Sequence, residues 1–413
     1  MDKSKLFLAS CLSLVTTSMV FAIRGDAAND MSAAFHLTNE QLGLVFSPAF
    51  WCFTIAIFIG GAIIDAVGMR LLHILSALGY IVGVTMVITA PRNDVPVQSL
   101  FDTTGTTLLY LGFMVMGLSQ GLVEAVINPL VTTIYHDQKT KRLNMLHAWW
   151  PGGQVIGGLL AVAMTTTMHA RWELKMITIA IPAVIYLLMA ISMKYPATER
   201  VASNISTGEM WAQTARPLFL ILFVCMWMTA AAELGPDQWF PKVMGDLVPT
   251  LASNGVLFLV YTAGVMFLLR TFGSSVAHSS PISTLLVCSG LTGVGLYWLG
   301  SLVPGQSSVL VAILASTVFA VGKSYLWPTM LGVTSEQFPR GGALLISLMG
   351  GAGMLSVAVA LPIMGGKIDS LGAAGALKFV SYLGVILVVI FGAIWAYYKS
   401  RGGYRAVGVT EAH

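Results

Sequence analysis

The chain has 413 residues, 56% of them hydrophobic and only 10% charged, with a mean hydropathy of +0.81 and a formal net charge of +4. Soluble domains carry about 25% charged residues, so a soluble globular protein is excluded. The Lys and Arg residues are scattered among loops, so the positive balance does not mark a nucleic-acid-binding face.

A helix that crosses a bilayer needs about 20 apolar residues. In chain order such stretches fall at 5–25, 41–64, 71–90, 105–134, 145–168, 173–194, 217–241, 252–270, 281–302, 307–334, 342–366 and 373–398. They predict an all-α integral membrane protein of twelve transmembrane helices. Lys3 and Lys5 precede the first apolar run, but no small-residue cleavage site follows it, so the first span is retained, with room to extend past Asp26. Basic loop residues orient the chain. With both termini cytoplasmic, Lys3, Arg70, Lys139, Lys194, Arg270 and Arg405 lie among the inside majority, against Arg92, Arg171, Lys175, Lys242, Lys367 and Lys378 outside. The expected location is therefore the cell (inner or plasma) membrane, multi-pass. Cys11, Cys52, Cys225 and Cys288 all fall inside spans without metal-ligand spacing and read as ordinary buried thiols, so no metal site is expected.

The longest polar connector follows the sixth span and divides the chain into a bundle at 1–195, a linker at 196–216 and a second bundle at 217–413. The halves are related. Glu124 lies deep in the fourth span, and Lys323 lies 199 residues later at the matching point of the tenth. Pro129 corresponds to Pro328, Asp137 to Glu336, Gln138 to Gln337 and Gly152 to Gly351. A charge in hydrocarbon costs several kcal/mol and normally faces a cavity, a partner or a transport path. Opposite charges at equivalent repeat positions point to a site between the halves of a transporter, or to a static Glu124–Lys323 bridge.

Between the second and third spans runs Gly61-Ala-Ile-Ile-Asp65-Ala-Val-Gly68-Met-Arg70. Gly68 permits a tight turn, Asp65 suits the start of the next helix, and Arg70 suits a carboxylate or a helix end. The segment resembles the signature loop of the major facilitator superfamily, which implies two six-helix bundles and a gating role for Asp65, Gly68 and Arg70. Val123-Glu124 to Asn128-Pro129 and Thr132, with Arg142-Leu-Asn144, resembles the fourth and fifth helices of the superfamily's fucose permease branch. Phe35 to Leu44 resembles the start of that branch's second helix. Ala232-Glu233 and Ser324-Tyr-Leu-Trp327-Pro328-Thr329 are similar to the seventh and tenth helices of its glucose/galactose members.

The resemblance implies that Glu124 is the protonatable carboxylate of a sugar–proton symporter. Physical chemistry permits this independently, because burial favours a neutral carboxyl and a neighbouring cation favours the ionised form. Asp26 lies near the branch's first-helix acid, with Asp30 competing for that place; Asp26 is a second proton site or a residue of the outer mouth. Three roles are open to Arg24: neutralising Asp26, reaching an anionic substrate, or lining the mouth. Glu233 precedes Gly235-Pro236, where a helix break is expected, and suits either substrate hydroxyls or a structural pairing with an Arg or Lys; Gln238 lies just beyond. Asn128, His147 and Trp150 join this set, with Trp327 and Trp150 as stacking or interfacial aromatics. His147, Trp150 and Lys323 depart from the fucose permease pattern, which puts fucose itself in doubt.

These readings converge on a secondary carrier for proton-coupled monosaccharide uptake by alternating access, with protonation of Glu124 loosening its hold on Lys323. The rivals are a carrier for an anionic solute such as a sugar acid, using Arg24 and Lys323, and a drug or metabolite exporter. An enzyme is not expected, since no nucleophile–base pair, metal cluster or phosphate loop is present. No cofactor is implied beyond the coupling proton. The expected partners are a small solute and the lipid bilayer, with the protein a monomer.

Overall fold

In lipid a spanning segment must satisfy its own backbone, and the helix does so within one strand of chain. Among the described residues of the computed structural model no β-strand forms. Residues 2–135, 142, 145–196, 207–250, 255–273, 280–338 and 340–407 are described, and for a few of these, Asp65 included, only the backbone. Asp137, Gln138 and Asn144, singled out above, lie outside the described residues, as does 197–206 of the linker.

The N-terminal bundle begins with α1 (Lys3–Phe35), which continues well past Asp26. The chain turns at His36 into α2 (Asn39–Phe46), whose start is fixed by a reciprocal capping box between Thr38 and Gln41. Pro48, pre-set for a helix start, opens α3 (Pro48–Val67). Then follow α4 (Met69–Ile88), α5 (Thr104–Ile134), α6 (Trp149–Met168), α7 (Trp172–Ile177) and α8 (Ala180–Ser192). Short α9 (Thr207–Ala212) lies in the linker. The C-terminal bundle comprises α10 (Pro217–Leu247), α11 (Val256–Phe272), α12 (Pro281–Leu299), α13 (Val309–Lys323), α14 (Leu326–Gln337) and α15 (Gly342–Ser400).

Nine helices among the described residues are long and apolar enough to cross a membrane. The last of them, α15, reverses at Gly372 (φ 71°) and supplies two spans. With α6 and α11 this makes the expected twelve. The expected break at Gly235-Pro236 does not occur. Instead α10 runs unbroken through Pro236 and Pro241, although each removes one backbone N–H from the helix.

Within the first bundle α3 and α4 pack on α5, and α1 on α6; within the second, α10 and α12 pack on α15, and α12 on α13. The bundles meet along α1/α10, α2–α3/α15 and α6/α11. On the side away from the termini they are tied closely. Asn39 Nδ2 donates to Asp369 at 2.6 Å, the Glu40 N–H to the same carboxylate at 3.0 Å, and Lys242 to Asn29 at 3.1 Å. Gly43 lies so near the backbone of Leu361 and Pro362 that an added Cβ would stand 2.9 Å from it. Arg24, Asp237, Gln238 and Trp239 are sealed from solvent there, whereas Glu124, Asn128, His147 and Trp327, nearer the termini, are half-buried.

Candidate functional site

The helical repeat places Glu124 and Asn128 of α5 one turn apart on one face. Asn128 Nδ2 donates to Glu124 Oε2 at 2.8 Å, and its amide oxygen lies 2.9 Å from His147 Nε2, on the helical turn before α6. Because Asn128 offers nitrogen to the carboxylate, its oxygen is left for His147, which donates from Nε2. Among the described residues no cation pairs with Glu124, so the expected Glu124–Lys323 contact is not made. The reason lies in the second bundle, where Lys323 has an acid of its own.

There α10 carries Glu233 and Asp237, again one turn apart. Lys323, the last residue of α13, reaches Asp237 Oδ1 at 2.5 Å, and both are fully buried. The Lys323 ammonium also lies 4.9 Å above the Phe319 ring, a favourable cation–π arrangement. Arg270 of α11 donates from Nη2 to Glu233 Oε1 at 3.2 Å and from Nε to the Ser324 carbonyl at 2.8 Å. Two acids and two bases therefore meet in a dry part of the bundle. Leaving any one of them alone would strand a buried charge. Arg270, expected on a cytoplasmic loop, is instead a member of this cluster; its long side chain reaches α10 and the end of α13.

Arg24 does not neutralise Asp26. The Asp26 carboxylate pairs with Lys175 of α7 at 2.6 Å, both nearly buried, and thus Lys175 is no free loop charge. Arg24 points the other way, towards α10. Its Nε donates to Gln238 Oε1 at 3.0 Å and its Nη2 to the same oxygen. Four phenylalanine rings surround the guanidinium: Phe50 at 4.9 Å, Phe21 at 5.1 Å, Phe46 at 5.2 Å and Phe113 at 5.6 Å from Cζ to ring centre.

The two tryptophans pack within their own bundles. Trp150 is buried, edge-on to Phe21 at 4.8 Å, and Trp327 lies half-buried against Gly353. In the signature loop, Gly68 adopts φ 87°, in the region that favours glycine, between α3 and α4. Among the described residues Arg70 pairs with no carboxylate. It caps the end of α8, donating from Nε to the Ala190 carbonyl at 3.2 Å and from Nη2 to that of Ile191. The Asp65 side chain lies outside the described residues.

Sequence reasoning missed Asp237, Arg270 and Lys175. The first had a visible signal, since Glu233-x-x-x-Asp237 puts two acids on one face of an apolar helix. Arg270 closes the apolar run Leu268-Leu-Arg270, where a snorkelling loop residue has the same pattern.

Two packed bundles of membrane-spanning helices with buried charged groups inside them have the architecture of a secondary transporter. The sequence pattern of the Major Facilitator Superfamily matches residues 6–319, and the chain belongs to that superfamily. No curated protein matches it in sequence. Among solved structures, the partially occluded, inward-open xylose transporter XylE from E. coli superposes with a TM-score of 0.77 at 12% identity, covering 95% of this chain and 97% of that one. The nucleoside transporter NupG gives 0.73 at 12% identity, covering 95% and 99%. The E. coli fucose:proton symporter FucP gives 0.64 at 14% identity, covering 94% and 98%. At such identities these likenesses establish the fold. A transporter of small molecules, crossing the membrane many times, is what this family membership means.

Proposed function

We propose that the protein carries a monosaccharide into the cell together with a proton, by alternating access, with its termini in the cytoplasm. The observation that carries this reading is the half-buried Glu124 carboxylate, bonded to the neutral Asn128 and through it to His147. A carboxylate held by neutral partners takes up a proton without stranding a cation, which an acid locked in a buried ion pair does not. The fucose and xylose symporters among the structural neighbours support the substrate class.

The chain Glu124–Asn128–His147 suits the coupling step. With Glu124 ionised, Asn128 gives it an N–H and takes one from His147 Nε2. With Glu124 protonated, the carboxyl O–H needs an acceptor, and a half-turn of the Asn128 amide supplies its oxygen. The amide nitrogen then faces His147 Nε2, which must become the acceptor. Proton uptake at Glu124 is thereby linked to the tautomer presented by His147 beside the bundle interface. Asp26, paired with Lys175, acts in placing α7 against α1, and Glu233 acts with Arg270 in shaping α10.

The test is external pH in a weakly buffered suspension of vesicles containing the protein, as hexoses, pentoses and sugar acids are added. Alkalinisation with a sugar, lost in Glu124→Gln while tracer exchange persists, is the expected outcome. Undiminished accumulation against a gradient by Glu124→Gln would remove Glu124 from the coupling role.

A further inference from the structure

Arg24 is fully buried, and its surroundings in its own bundle are four phenylalanine rings from α1, α2, α3 and α5. Among the described residues no carboxylate pairs with it; the acid nearest in sequence, Asp26, belongs to Lys175. Its hydrogen-bond partner is Gln238 Oε1, from the opposite bundle. Arg24 Nη1 and Gln238 Nε2 are both buried without an acceptor. The two side chains that join α1 to α10 thus each keep one buried donor unused, and among the described residues no carboxylate neutralises the guanidinium. Buried polar groups are nearly always satisfied, and a bound ion is one of the explanations for a buried group that is not.

Rocking of the bundles sharpens the point. When the side away from the termini opens, α1 and α10 part, and the Arg24–Gln238 bonds break. The cation is then left facing that side in a box of phenylalanine, with no acceptor from its own bundle. Cation–π attraction offsets only part of the lost hydration. An anion arriving from that side supplies both the charge and the acceptor atoms.

Resting on the carrier reading, but not on its proton coupling, we infer that Arg24 binds the substrate's negative charge, and that the transported sugar is a sugar acid. Gln238 Oε1 is the stand-in that occupies the carboxylate's place in the closed form. A single cation matches a monoanion, because the other buried cations, Lys175, Lys323 and Arg270, are held by Asp26, Asp237 and Glu233. A phosphate dianion would remain half-neutralised. A carboxylate presents two coplanar oxygens, which fit the guanidinium edge in the bidentate manner. Lys323, being neutralised, takes no part in this recognition.

The test uses the full-length purified protein in detergent, with D-glucuronate, D-gluconate and D-glucose added at equal ionic strength and thermal unfolding as the readout. A saturable rise in melting temperature with glucuronate or gluconate, but not with glucose or sodium chloride, is the expected result. In Arg24→Gln the apparent affinity falls by about tenfold or more, the loss of a charge-assisted hydrogen bond. Gln238→Leu keeps the cation and removes its stand-in, so the two acids stabilise it more than they do the wild type. Should Arg24→Gln fail to fold, that second variant decides alone, and an unchanged response there overturns the assignment. No stabilisation of the wild type by either acid overturns it as well. Uptake of neutral hexose without any effect of the acids sinks this inference and leaves the carrier reading standing. Stabilisation by the acids without uptake of any sugar keeps the anion site at Arg24 but overturns both the carrier reading and the assignment of the acid as its cargo.

Discussion

Glu124 and Lys323 occupy equivalent places in the two bundles, yet their surroundings differ in kind. Lys323 is wholly buried against Asp237, beside a second ion pair, Arg270–Glu233. Glu124 is half-buried and accepts from the Asn128 amide, whose oxygen in turn bonds the His147 imidazole. The second bundle pairs both acids of α10 with cations, while the first pairs Asp26 but leaves Glu124 without a cation among the described residues. The same division holds across the molecule. Every ion pair among the described residues joins two residues of one bundle, from Asp26–Lys175 to Lys323–Asp237. The links between bundles are hydrogen bonds instead: Arg24–Gln238, Lys242–Asn29, Asn39–Asp369, and Thr54 to the Gly351 carbonyl at 2.6 Å. Two bodies built this way can rock against each other without separating a buried ion pair. A buried pair shared between them would raise the barrier to that motion.

The sharpest way to break this contrast is Asp237→Asn. It strands the Lys323 ammonium in a dry site and should cost about 3–5 kcal/mol, read from denaturation of the purified protein. Adding Lys323→Met should recover most of that loss, and an unrecovered double variant would mean the pair is not the unit described here. Glu233→Gln is expected to be milder, about 2 kcal/mol, because Arg270 keeps its bond to the Ser324 carbonyl. In the first bundle the effects should be smaller still. His147→Leu removes one donor from the Asn128 oxygen and should lower stability by about 1 kcal/mol, with a changed pH profile of uptake. Glu124→Gln retains an acceptor for Asn128 and should shift stability by less than about 1 kcal/mol, although it abolishes coupling. A large destabilisation by Glu124→Gln, comparable with Asp237→Asn, would erase the distinction between the bundles.

The architecture was legible in the sequence because hydropathy is a strong, one-dimensional signal. Twelve apolar stretches, the 199-residue repeat and the loop from Gly61 to Arg70 together specify the spans and their division. Family membership follows from the same features. The pairing of charges was not legible, since it depends on where long side chains reach in three dimensions. The repeat suggested Glu124 opposite Lys323, but Lys323 reaches an acid four residues beyond Glu233. Arg24 and Asp26 are two apart in sequence, and on a helix that spacing turns them to different sides. Pro236 suggested a break because a proline removes one backbone bond, whereas tertiary packing holds α10 straight enough to continue. Glu124, Asn128 and His147 were each singled out in the sequence, but their linkage as one hydrogen-bonded chain needed coordinates.

The reversal at Gly372 has a practical corollary for anyone handling this protein. Some neighbouring spans are joined by segments such as 89–103, but the last two, like α3 and α4 at Gly68, are joined by a single residue of positive φ. That corner offers no slack for an inserted tag, an epitope or a protease. Labels meant for this face of the membrane belong in 89–103, where residues such as Arg92, Asp94 and Val95 are already exposed.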